Sequence, residues 1–173
     1  MTYVGLKGKN RPAQLLREGR SLDEVDDRAT PPELFAQLDE RFGGFTLDVA
    51  ASADNARCER YFDREADGLS RPWTWEQVWC NPPFSTIEPW LEKAWGEWYR
   101  GAMLIVMLLP ANRTDQPWWQ RWVEPSLRTQ AGPLRVEFLP GRIKFLRPGQ
   151  SEPGRRDRPL FGCCLLIWSG SRR

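Results

Sequence analysis

Eight consecutive apolar residues, Ala102 to Leu109, run through the middle of the chain without a charge or an alternating polar position. A strand with water on one face alternates apolar and polar side chains, so an unbroken run predicts a strand covered on both faces. Sheets of that kind lie sandwiched between helices. The run is far shorter than the roughly 20 residues needed to cross a bilayer, and the charged N-terminus lacks a signal-type apolar segment. The expected location is the cytoplasm, with no membrane partner. A length of 173 residues and 40% apolar content suit one globular domain with its own core.

Local signals fill in the rest. Thr30, Pro31, Pro32 and Glu33 predict a helix start, with Thr30 as N-cap, Pro31 at the first helical position and Glu33 closing a capping box. Leu34, Phe35, Leu38 and Phe42 give that helix a buried stripe, and Gly43 with Gly44 ends it. Phe45 to Ala50 reads as a strand, and Val78 to Cys80 as a short strand that delivers Asn81 into a loop. Between that loop and the apolar run, Trp90, Leu91, Ala94, Trp95 and Trp98 share one face of a helix over Ile87 to Tyr99. A short helix follows Asp115, with Trp119 and Trp122 turned inward. Leu134 to Leu139, Arg142 to Leu146 and Leu160 to Trp168 read as strands. Helices and strands alternate early and strands close the chain, which predicts an α/β sandwich, its sheet mostly parallel and finishing antiparallel.

The chain contains no His, which excludes Ser-His-Asp and Cys-His relays, an imidazole base and any His-containing zinc site. Cys58, Cys80, Cys163 and Cys164 have no C-x-x-C spacing and read as buried reduced thiols, so no metal is expected. Charge is unevenly spread although the net value is +2: residues 135–173 sum to +6 and residues 30–134 to −5. Arg135, Arg142, Lys144, Arg147, Arg155, Arg156, Arg158, Arg172 and Arg173 make the C-terminal part a candidate phosphate-binding surface. Residues 1–29 mix charges without a sustained period and read as a mobile arm ahead of a domain over residues 30–173.

Asn81, Pro82, Pro83 and Phe84 follow a short apolar strand, where α/β folds place their ligands. An exocyclic amine on a base is a poor nucleophile because its lone pair is delocalised into the ring. The Asn81 side-chain oxygen and the Pro82 carbonyl can each accept one amino hydrogen and free that lone pair. The two prolines stiffen the loop, and Phe84 offers a ring face on which a base swung out of a duplex can stack. A plain Asn-Pro-Pro turn that caps the next helix is the alternative.

These residues do not stand alone. Thr30-Pro31 with Leu34-Phe35, the block Phe45 to Ser52, Asn55-Ala56 with Cys58, Tyr61-Phe62, Asp67-Gly68-Leu69 with Trp73, and Val78-Trp79-Cys80 precede the loop. Leu108 to Ala111, Arg113 to Asp115, Trp118-Trp119 and Gly141-Arg142-Ile143 with Phe145 follow it. In this order and spacing the chain resembles the phage-encoded DNA N6-adenine methyltransferases of the Dam-like family over most of residues 30–168. The resemblance implies a Rossmann-like methyltransferase fold and S-adenosyl-L-methionine as cofactor. It implies methyl transfer to the N6 amine of adenine flipped out of DNA, with Asn81, Pro82, Pro83 and Phe84 as the catalytic loop. For the cofactor it implies that Asp48 meets the ammonium, that Thr30 and Pro31 at a helix N-terminus suit the carboxylate, and that small Ala50 and Ala51 permit close approach. Asp67, Gly68 and Leu69 would lie along the adenosine.

The chain departs from the broader family twice. The glycine-rich D-x-F-x-G-x-G segment is replaced by Leu47-Asp48-Val49-Ala50-Ala51-Ser52, and Phe84 stands where Tyr is common. A separate target-recognition domain is not expected, so DNA contact falls to Arg113, Arg142, Lys144, Arg147, Arg155, Arg156 and Arg158. The host setting implied is a bacterial cell carrying a phage or prophage. N4-cytosine methylation, a non-catalytic DNA-binding protein on the same fold, and methylation of a protein amide remain as alternatives.

Overall fold

A computed structural model describes residues 29–147, 150 and 159–170. The expected arm, apart from Ala29, and Arg155, Arg156, Arg158, Arg172 and Arg173 lie outside the described residues. The elements are α1 (Pro32–Phe42), β1 (Leu47–Asp48), β2 (Gln77–Cys80), α2 (Ile87–Arg100), β3 (Leu104–Pro110), α3 (Pro117–Trp122), α4 (Glu124–Thr129), β4 (Leu134–Phe138) and β5 (Cys163–Trp168). They build a five-stranded sheet in the order β1-β2-β3-β5-β4. The first three strands run parallel, and β5 is antiparallel to both β3 and β4. This is the expected α/β arrangement, parallel at first and antiparallel at the end.

Helices cover both faces of the sheet. Val78, Cys80, Ile105, Met107 and Leu109 point toward α2, where Trp90, Leu91, Ala94 and Trp98 are buried against them. Trp79, Val106, Leu108 and Leu165 point the other way, toward Leu38 of α1 and the flanking Leu34, Phe35 and Phe42. Every residue of β3 is therefore buried, as the apolar run requires. Cys163 and Cys164 enter opposite layers and both are buried and unpaired, while Cys58 is half-buried.

Four local expectations need correction. Helix α1 begins at Pro32; Pro31 is its N-cap with ψ 138°, and no side chain caps it. A proline disfavours helical ψ in the residue before it. Pro32 thus holds Pro31 extended, which leaves Thr30 outside the helix and unable to form a capping box with Glu33. The strand expected over 45–50 is paired with β2 over two residues. Its other edge is taken by residues 60–62, with the Asp48 N–H on the Arg60 carbonyl at 3.0 Å and the Phe62 N–H on the Asp48 carbonyl at 2.8 Å.

The strand expected over 142–146 is not formed. Leu146 makes a lone antiparallel bridge with Ala29. Both edges of β5 are already occupied by β3 and β4, so this segment lies on the core, with Phe145 and Leu146 buried, rather than in the sheet. Strand β5 starts at Cys163 instead of Leu160, and α4 had no sequence-based expectation. The register Pro110↔Cys163 and Phe138↔Cys164 brings the ends of β3 and β4 level with the start of β5. Segments 49–57, 81–86, 111–116, 139–147 and 159–162 consequently leave the sheet at one rim.

Candidate active site

At that rim a cleft of about 730 Å³ opens over the carboxyl ends of β1 and β2, a volume typical of small-molecule sites at strand ends. Asp48 lines it from β1, Ala50 and Ala51 from the segment after that strand, Asp67, Gly68 and Leu69 from a later turn, Asn81 and Pro83 from the loop after β2, and Thr30 from the entry to α1. Seven of the eight residues expected at a cofactor thus converge on one cleft. Pro31 is not among those lining it. The parallel pairing of β1 with β2, with Asp48 beside Trp79, explains why two segments distant in sequence share a wall.

Asp48 is the charged group at the base of this wall, 3% exposed. Its carboxylate accepts the backbone N–H of Arg57 at 3.0 Å and that of Ala50 at 3.3 Å. Burial pushes its pKa up to about 6, against the opposing pull of those two bonds and the Arg57 charge. A buried carboxylate facing a cleft favours a cationic partner that would restore its ionised form.

The opposite wall is held close by steric fit. A Cβ placed on Gly68 would sit 2.0 Å from the Val49 carbonyl oxygen and 3.3 Å from the Trp90 ring, so only glycine allows this backbone approach. Asp67 adopts a left-handed conformation with φ 53°, and its side chain accepts the Leu69 N–H at 3.2 Å. Behind the turn, the Trp73 indole donates to the Gly68 carbonyl at 2.9 Å, and the Trp73 backbone N–H donates to buried Glu97 at 2.8 Å. Lys93 and Arg100 pair with the same carboxylate at 2.9 and 3.1 Å. Burial pulls the Glu97 pKa upward, but these bonds outweigh it and hold the group below the ordinary carboxylate range.

In the loop after β2, Asn81 and Pro83 reach the cleft, whereas Pro82 is buried and Phe84 does not line the cavity. The Thr86 N–H closes the loop on the Pro83 carbonyl at 3.2 Å. Phe84 is half-buried, edge-on to Phe145 with centroids 6.0 Å apart and tilted against Phe161 at 6.1 Å. The corrected segment 142–146 therefore buttresses the aromatic residue of the loop.

Several cleft residues had no site role expected from sequence, Arg57 and Trp79 among them. Both carry a buried N–H, Nε and Nε1 respectively, without a hydrogen-bond partner among the described residues. Buried Thr30 Oγ1 is in the same condition. Burial lowers the Arg57 pKa, and the charges of Asp48 and Glu33 oppose that shift. Arg57 lies in an irregular stretch with no periodicity to mark it, and Trp79 reads as an ordinary strand residue.

Of the expected phosphate ligands, Arg142 and Lys144 are exposed and Arg113 and Arg147 half-exposed, all on segments at the cleft rim. Among the described residues there is no cluster of three potential metal ligands, and no helix is long and apolar enough to cross a membrane.

Comparison with known proteins gives the site its context. The chain is 38% identical over 110 residues to the DNA N-6-adenine-methyltransferase of Escherichia phage T1, a match spanning 62% of this chain and 42% of the phage protein. It is 31% identical over 88 residues to YfdM of Escherichia coli (strain K12), covering 47% of this chain and 87% of that one. The solved structure of the Pyrococcus horikoshii protein PH1948 aligns with 98% of this chain and 88% of its own, at 15% identity and a TM-score of 0.44. The family model described as DNA N-6-adenine-methyltransferase (Dam) matches residues 19–172, and the chain belongs to that family.

Proposed function

We propose that the chain transfers a methyl group from S-adenosylmethionine to the N6 amine of an adenine flipped out of DNA. The observation that carries this reading is the shared cleft: Asn81 and Pro83 of the loop face the same cavity as Asp48, Ala50 and Ala51. The residues present suit the cofactor, because a buried carboxylate awaits a cation, an unpartnered hydroxyl sits near a helix N-terminus, and Gly68 leaves a wall no side chain obstructs. When bound, S-adenosylmethionine supplies an electrophilic methyl group.

The chain's own residues do the rest. Asp48 binds the ammonium end, Thr30 receives the carboxylate, and Asp67, Gly68 and Leu69 border the nucleoside. The Asn81 side-chain oxygen and the Pro82 carbonyl each accept one hydrogen of the target amine, which draws the nitrogen toward tetrahedral geometry and frees its lone pair. Phe84, braced by Phe145 and Phe161, offers ring surface to the flipped base. Arg113, Arg142, Lys144 and Arg147 hold phosphates along the rim.

The test is incubation of the purified chain with S-adenosylmethionine and plasmid DNA, followed by nucleoside digestion and mass spectrometry. N6-methyladenine is expected, and Asn81→Ala should reduce it by at least a hundredfold with the fold intact by circular dichroism. N4-methylcytosine instead would reassign the target base. DNA binding with no methylated product would leave a non-catalytic binder, and full activity of Asn81→Ala would overturn the role of the loop.

A further inference from the structure

Among the described residues, four buried side-chain polar atoms lack a partner, and three of them belong to residues that line the cleft: Thr30 Oγ1, Arg57 Nε and Trp79 Nε1. All three can donate a hydrogen, and two of them can do nothing else. Buried donors are costly to leave unpaired, so three around one cavity point to an acceptor that arrives with a ligand. Their placement is specific. Trp79 is the register partner of Asp48, the Arg57 backbone donates to Asp48 Oδ2 at 3.0 Å, and Thr30 stands one residue before the N-cap of the eleven-residue helix α1. Donors for an anion thus border the acceptor for a cation.

We infer that Arg57, with Thr30 and Trp79, forms a carboxylate subsite, so that this corner of the cleft grips an intact α-amino-acid zwitterion, ammonium on Asp48 and carboxylate on the three donors. The inference rests on the methyl-donor reading above and adds Arg57 and Trp79 to it as specificity-determining residues. The Arg57 charge is flanked by Asp48 and Glu33, so a competing role is simple charge balance for Asp48. The two roles differ in what they discriminate. Charge balance affects any ligand with the ammonium, whereas a carboxylate subsite affects ligands that carry the carboxylate.

The experiment is calorimetric titration of the full chain with S-adenosylhomocysteine and with its decarboxylated analogue, S-adenosyl-3-thiopropylamine. Arg57→Leu should weaken S-adenosylhomocysteine at least tenfold and leave the analogue within twofold. Thr30→Val, which removes the hydroxyl at nearly constant volume, should show the same selective loss at several-fold and serves if Arg57→Leu melts early. Equal weakening of both ligands, or wild-type affinity in both variants, overturns the subsite. If the wild-type chain binds neither ligand, the methyl-donor reading itself falls and takes the subsite with it.

Discussion

Asp48 holds a carboxylate where the cleft offers no water-like environment, and its pKa of about 6 against an ordinary value of 3.8 makes that visible in solution. Between these values folding takes up a proton. The cost of burying the charge is absent below about pH 4 and complete above about pH 6, so ligand-free stability falls as pH rises through that window. The shift is equivalent to about 3 kcal/mol. Asp48→Asn should remove this dependence, so the difference in melting temperature between variant and wild type should grow from pH 4 to pH 6.5; a constant difference would contradict it. Affinity for the cationic cofactor should fall roughly tenfold per unit below pH 6. Gly68 makes a second prediction. Gly68→Ala drives a methyl into the Val49 carbonyl and should cost about 2 kcal/mol by urea denaturation, together with weaker cofactor binding. Asp48 and Gly68 were legible because the family motif marks them, whereas Arg57 and Trp79 gain meaning only from long-range proximity.

Among elements, the stretch from residue 63 to residue 73 is tied to α2 through Trp73. Trp73 is buried against Trp90, and Glu97 collects Trp73, Lys93 and Arg100 on one carboxylate. Glu97→Ala leaves the buried Trp73 N–H unpaired and should destabilise the chain by about 3 kcal/mol in urea melts. Hydrogen exchange should then open first at the Gly68 turn. Helix α2 was readable because tryptophans at 3.6-residue spacing leave one geometry that buries them, and β3 because no other element hides a run of that kind. Residues 142–146 misled for a physical reason. Ile143 and Phe145 alternate as a strand would, yet alternation describes a half-buried chain and not the availability of a partner edge. The start of α1 slipped because consecutive prolines constrain the residue before them more strongly than a capping pattern attracts it.

At the scale of the molecule, a net charge of +2 conceals a gathering of basic residues on segments that leave the sheet at the cleft rim. If Arg142 and Lys144 each neutralise one phosphate, replacing both with alanine should lower the slope of log affinity against log salt by about 1.8. The loss should be alike on unrelated DNA sequences, as measured by fluorescence anisotropy; an unchanged slope would remove both from the interface. The other rim carries no part of the cleft. Trp75 and Met103 are exposed there, joined through the hydrogen bonds of Trp75 to Gly101 and of Met103 to Glu76. Substitutions at that end can alter how firmly the scaffold holds together without rewriting the chemistry above it, so the two ends of one small sheet are free to evolve under separate selective pressures.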